Sequence, residues 1–277
     1  MIIMCPPVAL GDDAESRADM LRKAAELECS AIASHVPEEW SDSRVAETRA
    51  FLDEHGLRVG EYVQFRFDFA SAVPEEHRSA MADYRRQLRQ AGIMGASFVG
   101  FNIVCDRATP RMWTEETWRR CTGAVAELAA EAEGAGMDVA VHPHYMSPLF
   151  SIERVEDLLA SVPSPRLKVL IDIVNLTSPE MVYRTTELVN DVFDRLGDRI
   201  VGLHAKDVVM SGGGNTIVHV DEAIPGTGLM DLATVLRRLD GLGWDVTLQV
   251  EHLGYEDTLE GVGHIRRLAR EAGIALG

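Results

Sequence analysis

Short apolar runs alternate along the chain with longer segments in which apolar residues recur every three to four positions. Strand and helix are thus expected in turn, the pattern of βα units around a parallel sheet. Strands are predicted over 2–5 (IIMC), 30–34 (SAIAS), 57–65 (LRVGEYVQF), 97–104 (SFVGFNIV), 137–144 (MDVAVHPH), 167–176 (LKVLIDIVNL), 199–207 (RIVGLHAKD) and 246–252 (VTLQVEH). Helices are predicted near 14–28, 41–55, 75–91, 114–135, 151–160, 178–196, 230–240 and 257–272. Eight of each is what a closed (β/α)8 TIM barrel requires. Ser41, Thr114, Ser151, Ser178 and Asp231 stand where N-caps or first-turn residues belong, and Gly56, Gly92, Gly136 and Gly197 stand where helices stop. No linker or low-complexity segment divides the chain, so residues 1–277 are expected to form a single domain. One connection is long: 208–230, VVMSGGGNTIVHVDEAIPGTGLM, follows a strand end and reads either as a lid over a site or as a surface excursion.

The reactive face of such a barrel lies at the C-terminal ends of its strands. There the fifth predicted strand ends in His142 and His144, the sixth in Asp172 and Asn175, the seventh in His204, Lys206 and Asp207, and the eighth in Glu251 and His252. Singly, each fits a hydrogen-bonded group at a strand terminus. As an ordered His, Asp, His, Glu set on neighbouring strands, they suit a divalent first-row metal. Residues two apart share a face, so His142 and His144 point together into the mouth, and His204 and Lys206 lie on one face with each other. Asp207 points away, toward either a loop or the substrate.

Charge and cysteine usage narrow the partners. With 27 Lys+Arg against 44 Asp+Glu the net charge is −17, so nothing neutralises a nucleic-acid backbone or an anionic membrane surface. Cys5, Cys29, Cys105 and Cys121 show no CxxC spacing and read as reduced thiols filling the core. No run reaches the length of a membrane span, and MIIMCPPVALGDD lacks the regions of a signal peptide. A soluble cytoplasmic protein is expected.

The segments KVLIDIVN, GLHAKDV, PGTGLMD and QVEH resemble the xylose-isomerase-like TIM barrels, the superfamily of sugar isomerases and epimerases that also contains endonuclease IV. The resemblance runs from about residue 12 to 272, with the specific motifs in the second half. HAKD, HVDEAIPGTGLMD and EHL are similar to the branch acting on keto-sugars and 3-oxo-glycosides. It implies a metal such as Mn²⁺ (Co²⁺, Zn²⁺, Fe²⁺ or Mg²⁺ as alternatives) held at the positions of His142, Asp172, His204 and Glu251, with His142 where those relatives carry Glu. That Glu forms half of the epimerases' acid/base pair, so its replacement bears on the reaction.

The expected chemistry is proton abstraction beside a ketone through an enediolate, on a small sugar or glycoside. His144 is the replacement base, Glu251 ligand and second acid/base, and Lys206 either a polarising cation or a partner of Asp or Glu. Asn175 and His252 are expected to bind substrate or to support the ligands. In a competing arrangement His144 is the ligand and His142 its neighbour. The net reaction is isomerisation or epimerisation, or elimination as in the C-glycoside deglycosidases, whose barrel subunit works with a small β-rich partner. A homo-oligomer or such a hetero-oligomer is expected. The remaining alternatives are a DNA-repair nuclease of the endonuclease IV type and a non-catalytic barrel subunit.

Overall fold

The computed structural model describes residues 1–103, 109–212 and 218–277. Strands and helices alternate as β1 (Ile2–Met4), α1 (Ala14–Glu26), β2 (Ala31–Ser34), α2 (Asp42–Glu54), β3 (Arg58–Val63), α3 (Pro74–Met94), β4 (Phe98–Phe101), α4 (Glu115–Ala135), β5 (Asp138–Val141), α5 (Ile152–Ser161), β6 (Leu167–Ile171), α6 (Thr185–Leu196) and β7 (Ile200–His204). Then follow β8 (Asp207–Ser211), β9 (His219–Ala223), α7 (Leu232–Asp240), β10 (Val246–Gln249) and α8 (Tyr255–Ala272). The parallel sheet runs β1-β10-β7-β6-β5-β4-β3-β2 in its 8 strands. Its two edges meet beyond β1, where Val8 N–H donates to Ala33 O at 3.3 Å and Ala33 N–H to Pro6 O at 2.9 Å. The result is a nearly closed (β/α)8 barrel, as the periodicity predicts.

Alternation along each strand sorts the side chains. Ile2 and Met4, Val99 and Phe101, Val139 and Val141, and Val169 and Ile171 join the large core shared with the helices. The intervening Ile3 and Cys5 cluster with Ala31 and Ala33, and Phe98 clusters with Ala140 and Leu170, inside the barrel. Two register shifts break this alternation. Opposite Ile32–Ala33 the β3 partners jump from Val59 to Glu61, leaving Gly60 over. Opposite Val169–Leu170 the β7 partners jump from Ile200 to Gly202, leaving Val201 over. An extra residue reverses the facing of all that follow it. Val59 and Leu203 therefore pack outward in the core while Glu61 and His204 face inward, against each other.

Several boundaries move from their predicted places. The strands are shorter, so most candidate site residues stand beyond them, with His204 the last residue of β7 and Asp207 the first of β8. Ser41, Thr114, Ser151 and Asp231 do cap helices through side-chain oxygens. Ser178 does not: Met181 N–H bonds back to Ser178 O and Arg184 N–H to Met181 O, a run of tight turns, and α6 begins only at Thr185. Gly92 lies inside α3, whose stop is Gly95 at φ 68, a left-handed conformation that glycine adopts without a Cβ clash. Within the 208–230 connection is an antiparallel ribbon, with β8 paired to β9 from Asp207↔Ala223 to Ser211↔His219. Its Gly213, Gly214, Asn215, Thr216 and Ile217, with Val104 of the fourth predicted strand and Cys105, lie outside the described residues. Cys5 and Cys121 are buried and Cys29 partly so, all as free thiols. No helix among the described residues is long and apolar enough to cross a membrane.

Candidate metal centre

The inward-facing positions of β5, β6, β7 and β10 lead, at or just past the strand ends, to His142, Asp172, His204 and Glu251. One ligand atom from each lies within 4.8 Å of the others, on groups that are all buried or nearly so. His142 stacks on Phe65 with ring centroids 5.4 Å apart and leans on the His204 ring at 4.7 Å. Its Nε2 meets the Asn175 side-chain amide at 3.0 Å. Asp172 Oδ1 accepts the N–H groups of Val174 at 3.0 Å and Asn175 at 3.3 Å, which fixes its carboxylate at the start of a 3-10 turn, Val174–Leu176. His204 Nδ1 lies 3.0 Å from Glu251 Oε1, and its Nε2 lies 3.3 Å from Glu61 Oε2.

Lys206 spans the carboxylates, with Nζ 2.8 Å from Asp172 Oδ2 and 2.9 Å from Glu251 Oε1. That pairing is one of the two roles open to it from sequence. Asp207 faces away and buttresses a loop: Oδ1 accepts from Val208 and Met230 N–H at 2.8 Å, and Oδ2 from Gly226 and Gly228 N–H at 2.9 Å. A Cβ on Gly228 would lie 2.3 Å from Asp207 Oδ1, so the PGTG turn closes on this carboxylate only with glycine there.

The electrostatics are those of a crowded buried site. Burial, helped by His204, holds the His142 imidazole well below its ordinary pKa. Burial likewise raises Asp172, against the pull of Lys206. Burial alone would lower His204, but the Glu251 and Glu61 carboxylates outweigh it and push the imidazole up to about 10. Lys206 is raised in the same way, burial losing to Asp172 and Glu251. For Glu251, burial is outweighed by His204 and then Lys206, which hold the carboxyl far below its usual range.

A divalent cation fits this donor set. His142 Nδ1 is buried with no hydrogen-bond partner, His204 Nδ1 has no aligned one, and Asp172 Oδ2 and Glu251 Oε1 are met by the Lys206 ammonium. Buried polar atoms are ordinarily satisfied, so an unpartnered imidazole nitrogen beside two carboxylates and a second imidazole marks a place for a shared partner. With His204 neutral, as a metal ligand must be, the formal charges of Asp172, Glu251 and Glu61 against Lys206 leave two negative charges for a dication to balance; without metal a proton on His204 offsets one of them.

Beside the cluster opens a cavity of about 210 Å³ lined by Phe65, Phe67, Asn102, His142, His144, Asn175, Glu251 and His252. His144 lies on its wall outside the four-residue cluster, with Nδ1 accepting the Met146 N–H at 2.9 Å. His252 sits at φ 63, left-handed for a side chain with a Cβ, and reaches toward Glu222 of β9 at 3.6 Å and Glu251 at 3.7 Å. Glu222 raises its imidazole pKa. Glu61, Asn102, Phe65 and Phe67 were not among the residues singled out by sequence. The one available signal is a Glu after a Gly within the apolar run LRVGEYVQF.

A family model described as xylose isomerase-like TIM barrel matches residues 21–272. The chain belongs to that family. Comparison with functionally curated proteins gives no match. Among solved structures, a xylose isomerase-like TIM barrel protein from Mycobacterium smegmatis in complex with magnesium superposes at TM-score 0.75 and 18% identity, over 97% of each chain. Mannonate dehydratase from Streptococcus suis superposes at 0.74 and 15% identity over 100% of this chain and 97% of its own. The 3-keto-D-glucoside 4-epimerase of E. coli superposes at 0.71 and 11% identity over 96% and 100%. At these identities the likeness is one of fold.

Proposed function

We propose that this xylose-isomerase-like barrel is a divalent-metal-dependent enzyme acting on a keto-sugar or 3-oxo-glycoside by removing a proton beside the ketone. The observation that carries the reading is the buried His142, Asp172, His204 and Glu251 cluster opening onto a cavity of about 210 Å³ walled by His144, Asn102 and Phe65. The four cluster residues would hold the ion, with Mn²⁺ the expected metal; when bound, it supplies Lewis-acid stabilisation of negative charge developing on the substrate oxygens. Asn102 and Asn175 offer amides for sugar hydroxyls, and Phe65 and Phe67 give an apolar wall against a ring face and keep water from the reacting carbon. His144, on the cavity wall, is the proposed base; its one lone pair, on Nδ1, takes the Met146 N–H in this structure, so accepting a substrate proton requires that bond to open. His252 and Glu222 tie the β8–β9 ribbon to the cavity mouth and support reading that ribbon as a lid.

Glu251 is engaged by His204 and Lys206, which favours a mechanism with one mobile base. A single base suffices for isomerisation, or for elimination when the enediolate expels a β-substituent. Elimination is therefore the second reading, as lyase chemistry on a 3-oxo-glycoside, and the fold is shared both by a protein named as a dehydratase and by one named as an epimerase. Incubation in D₂O with Mn²⁺ and a panel of keto-sugars and 3-oxo-glycosides tests both readings. Deuterium uptake without release supports the isomerase/epimerase reading, and aglycone release supports the lyase. Neither, with metal loaded, sinks the proposal.

A further inference from the structure

We infer that Glu61 is a positioning residue that sets the affinity of the site for its metal by holding His204 from behind. The inference rests on reading the His142, Asp172, His204 and Glu251 cluster as a metal centre. Glu61 is wholly buried and lies outside that cluster. It reaches across the barrel interior from β3, and both ends of its carboxylate are engaged. Oε2 lies 3.3 Å from His204 Nε2, and Oε1 accepts from the Thr247 hydroxyl of β10.

Of the two carboxylates beside the ring, Glu61 alone is aligned for a hydrogen bond, so Nε2 donates to Glu61, while Nδ1, 3.0 Å from Glu251 without such alignment, is the nitrogen turned to the cluster and the one a metal would take in place of a proton. Carboxylates placed behind ligating imidazoles in this way fix the ring's orientation and increase its strength as a ligand. The fold makes specific provision for the contact. The leftover Gly60 turns Glu61 inward, the leftover Val201 turns His204 inward, and regular alternation from Val59 and Ile200 would send both toward the helices. Thr247, which bonds Glu61, has its place because Gly202 has no side chain: a Cβ there would lie 2.6 Å from Thr247 Oγ1, 2.7 Å from Leu170 and 2.9 Å from Phe98. A buried ion pair of this kind is a poor way to stabilise a barrel, since apolar residues of equal volume do so at least as well. A role in the site accounts for it better than a role in packing.

The test is titration of the metal-free protein with Mn²⁺, free ion being followed by electron paramagnetic resonance, for wild type, Glu61→Gln and Thr247→Val. Melting curves of the same metal-free proteins are recorded alongside. Glu61→Gln keeps the shape and is expected to weaken Mn²⁺ binding about tenfold to a hundredfold, while its metal-free melting temperature holds or rises. Thr247→Val, which frees Oε1, should move affinity in the same direction by less, and it carries the test should Glu61→Gln not fold. Unchanged Mn²⁺ affinity in the folded variants, or a loss that simply follows a lowered metal-free melting temperature, overturns the inference. If wild type itself takes up no Mn²⁺, the metal reading falls and the inference with it, a result distinct from the other two.

Discussion

The barrel has two unlike sides. Around β1 and β2 the interior is Ile3, Cys5, Ala31 and Ala33, small and apolar, and the strands end in the backbone contacts of Pro6 and Val8 with Ala33 that bring the sheet edges together. Around β5, β6, β7 and β10 the interior positions rise from Ala140, Leu170, Gly202 and Thr247 to His142, Asp172, His204, Lys206 and Glu251. One side is a frame and the other carries the candidate metal centre, though both are built on the same repeating unit. Stability and chemistry are thus separable around the ring, because a strand's packing lies in its outward residues and its chemistry in the inward residue just past its end. Glu61 is the exception, a group from β3 that serves β7 across the interior.

Mutations on the two sides should break in different ways. The largest effect is expected on the reaction side: Asp172→Ala or His142→Ala should abolish metal retention, measured by elemental analysis after gel filtration, and lower turnover by roughly a thousandfold or more. His144→Gln should keep the metal and lose about a hundredfold to ten-thousandfold in solvent-deuterium exchange. Were metal lost instead, His142 and His144 would have to exchange roles. On the frame side, Ile32→Ala removes a wholly buried side chain and should cost about 2–5 kcal/mol in chemical denaturation while leaving Mn²⁺ affinity unchanged. Coupling of that variant to the metal would mean that frame and site are one unit. The smallest effect belongs to Asp207→Asn, which weakens an acceptor of four loop N–H groups. About 1–3 kcal/mol is expected, with limited proteolysis increasing in 208–230 before the rest of the chain.

Much of the reaction side was legible in the linear order of residues. VAVHPH, LIDIVN, GLHAKD and QVEH each carry an apolar run and then an ionisable group, and their order along the chain becomes neighbourhood around the sheet. Strand geometry left the choice between His142 and His144 open, because both share a face, and only the family resemblance favoured His142; in the structure His142 stands in the cluster and His144 on the cavity wall. The pairing of Lys206 was not legible, since Asp172 and Glu251 lie 34 and 45 positions away in sequence and meet it only when β6 and β10 flank β7. The ribbon of 208–230 was half-visible: TIVHVDE alternates as a strand does, but its partner VVMS lies across three glycines and was read with the loop.

By itself the sequence determined the alternation of strands and helices, most of the caps and stops, and the chemical character at the end of each strand. Those depend on interactions within a few residues, where side-chain period and capping chemistry act directly. Tertiary structure alone decided which way Glu61 and His204 face. A single leftover residue in each strand, Gly60 and Val201, reverses that facing, and whether a strand accommodates an extra residue is settled by the register of its neighbour, which no local pattern encodes.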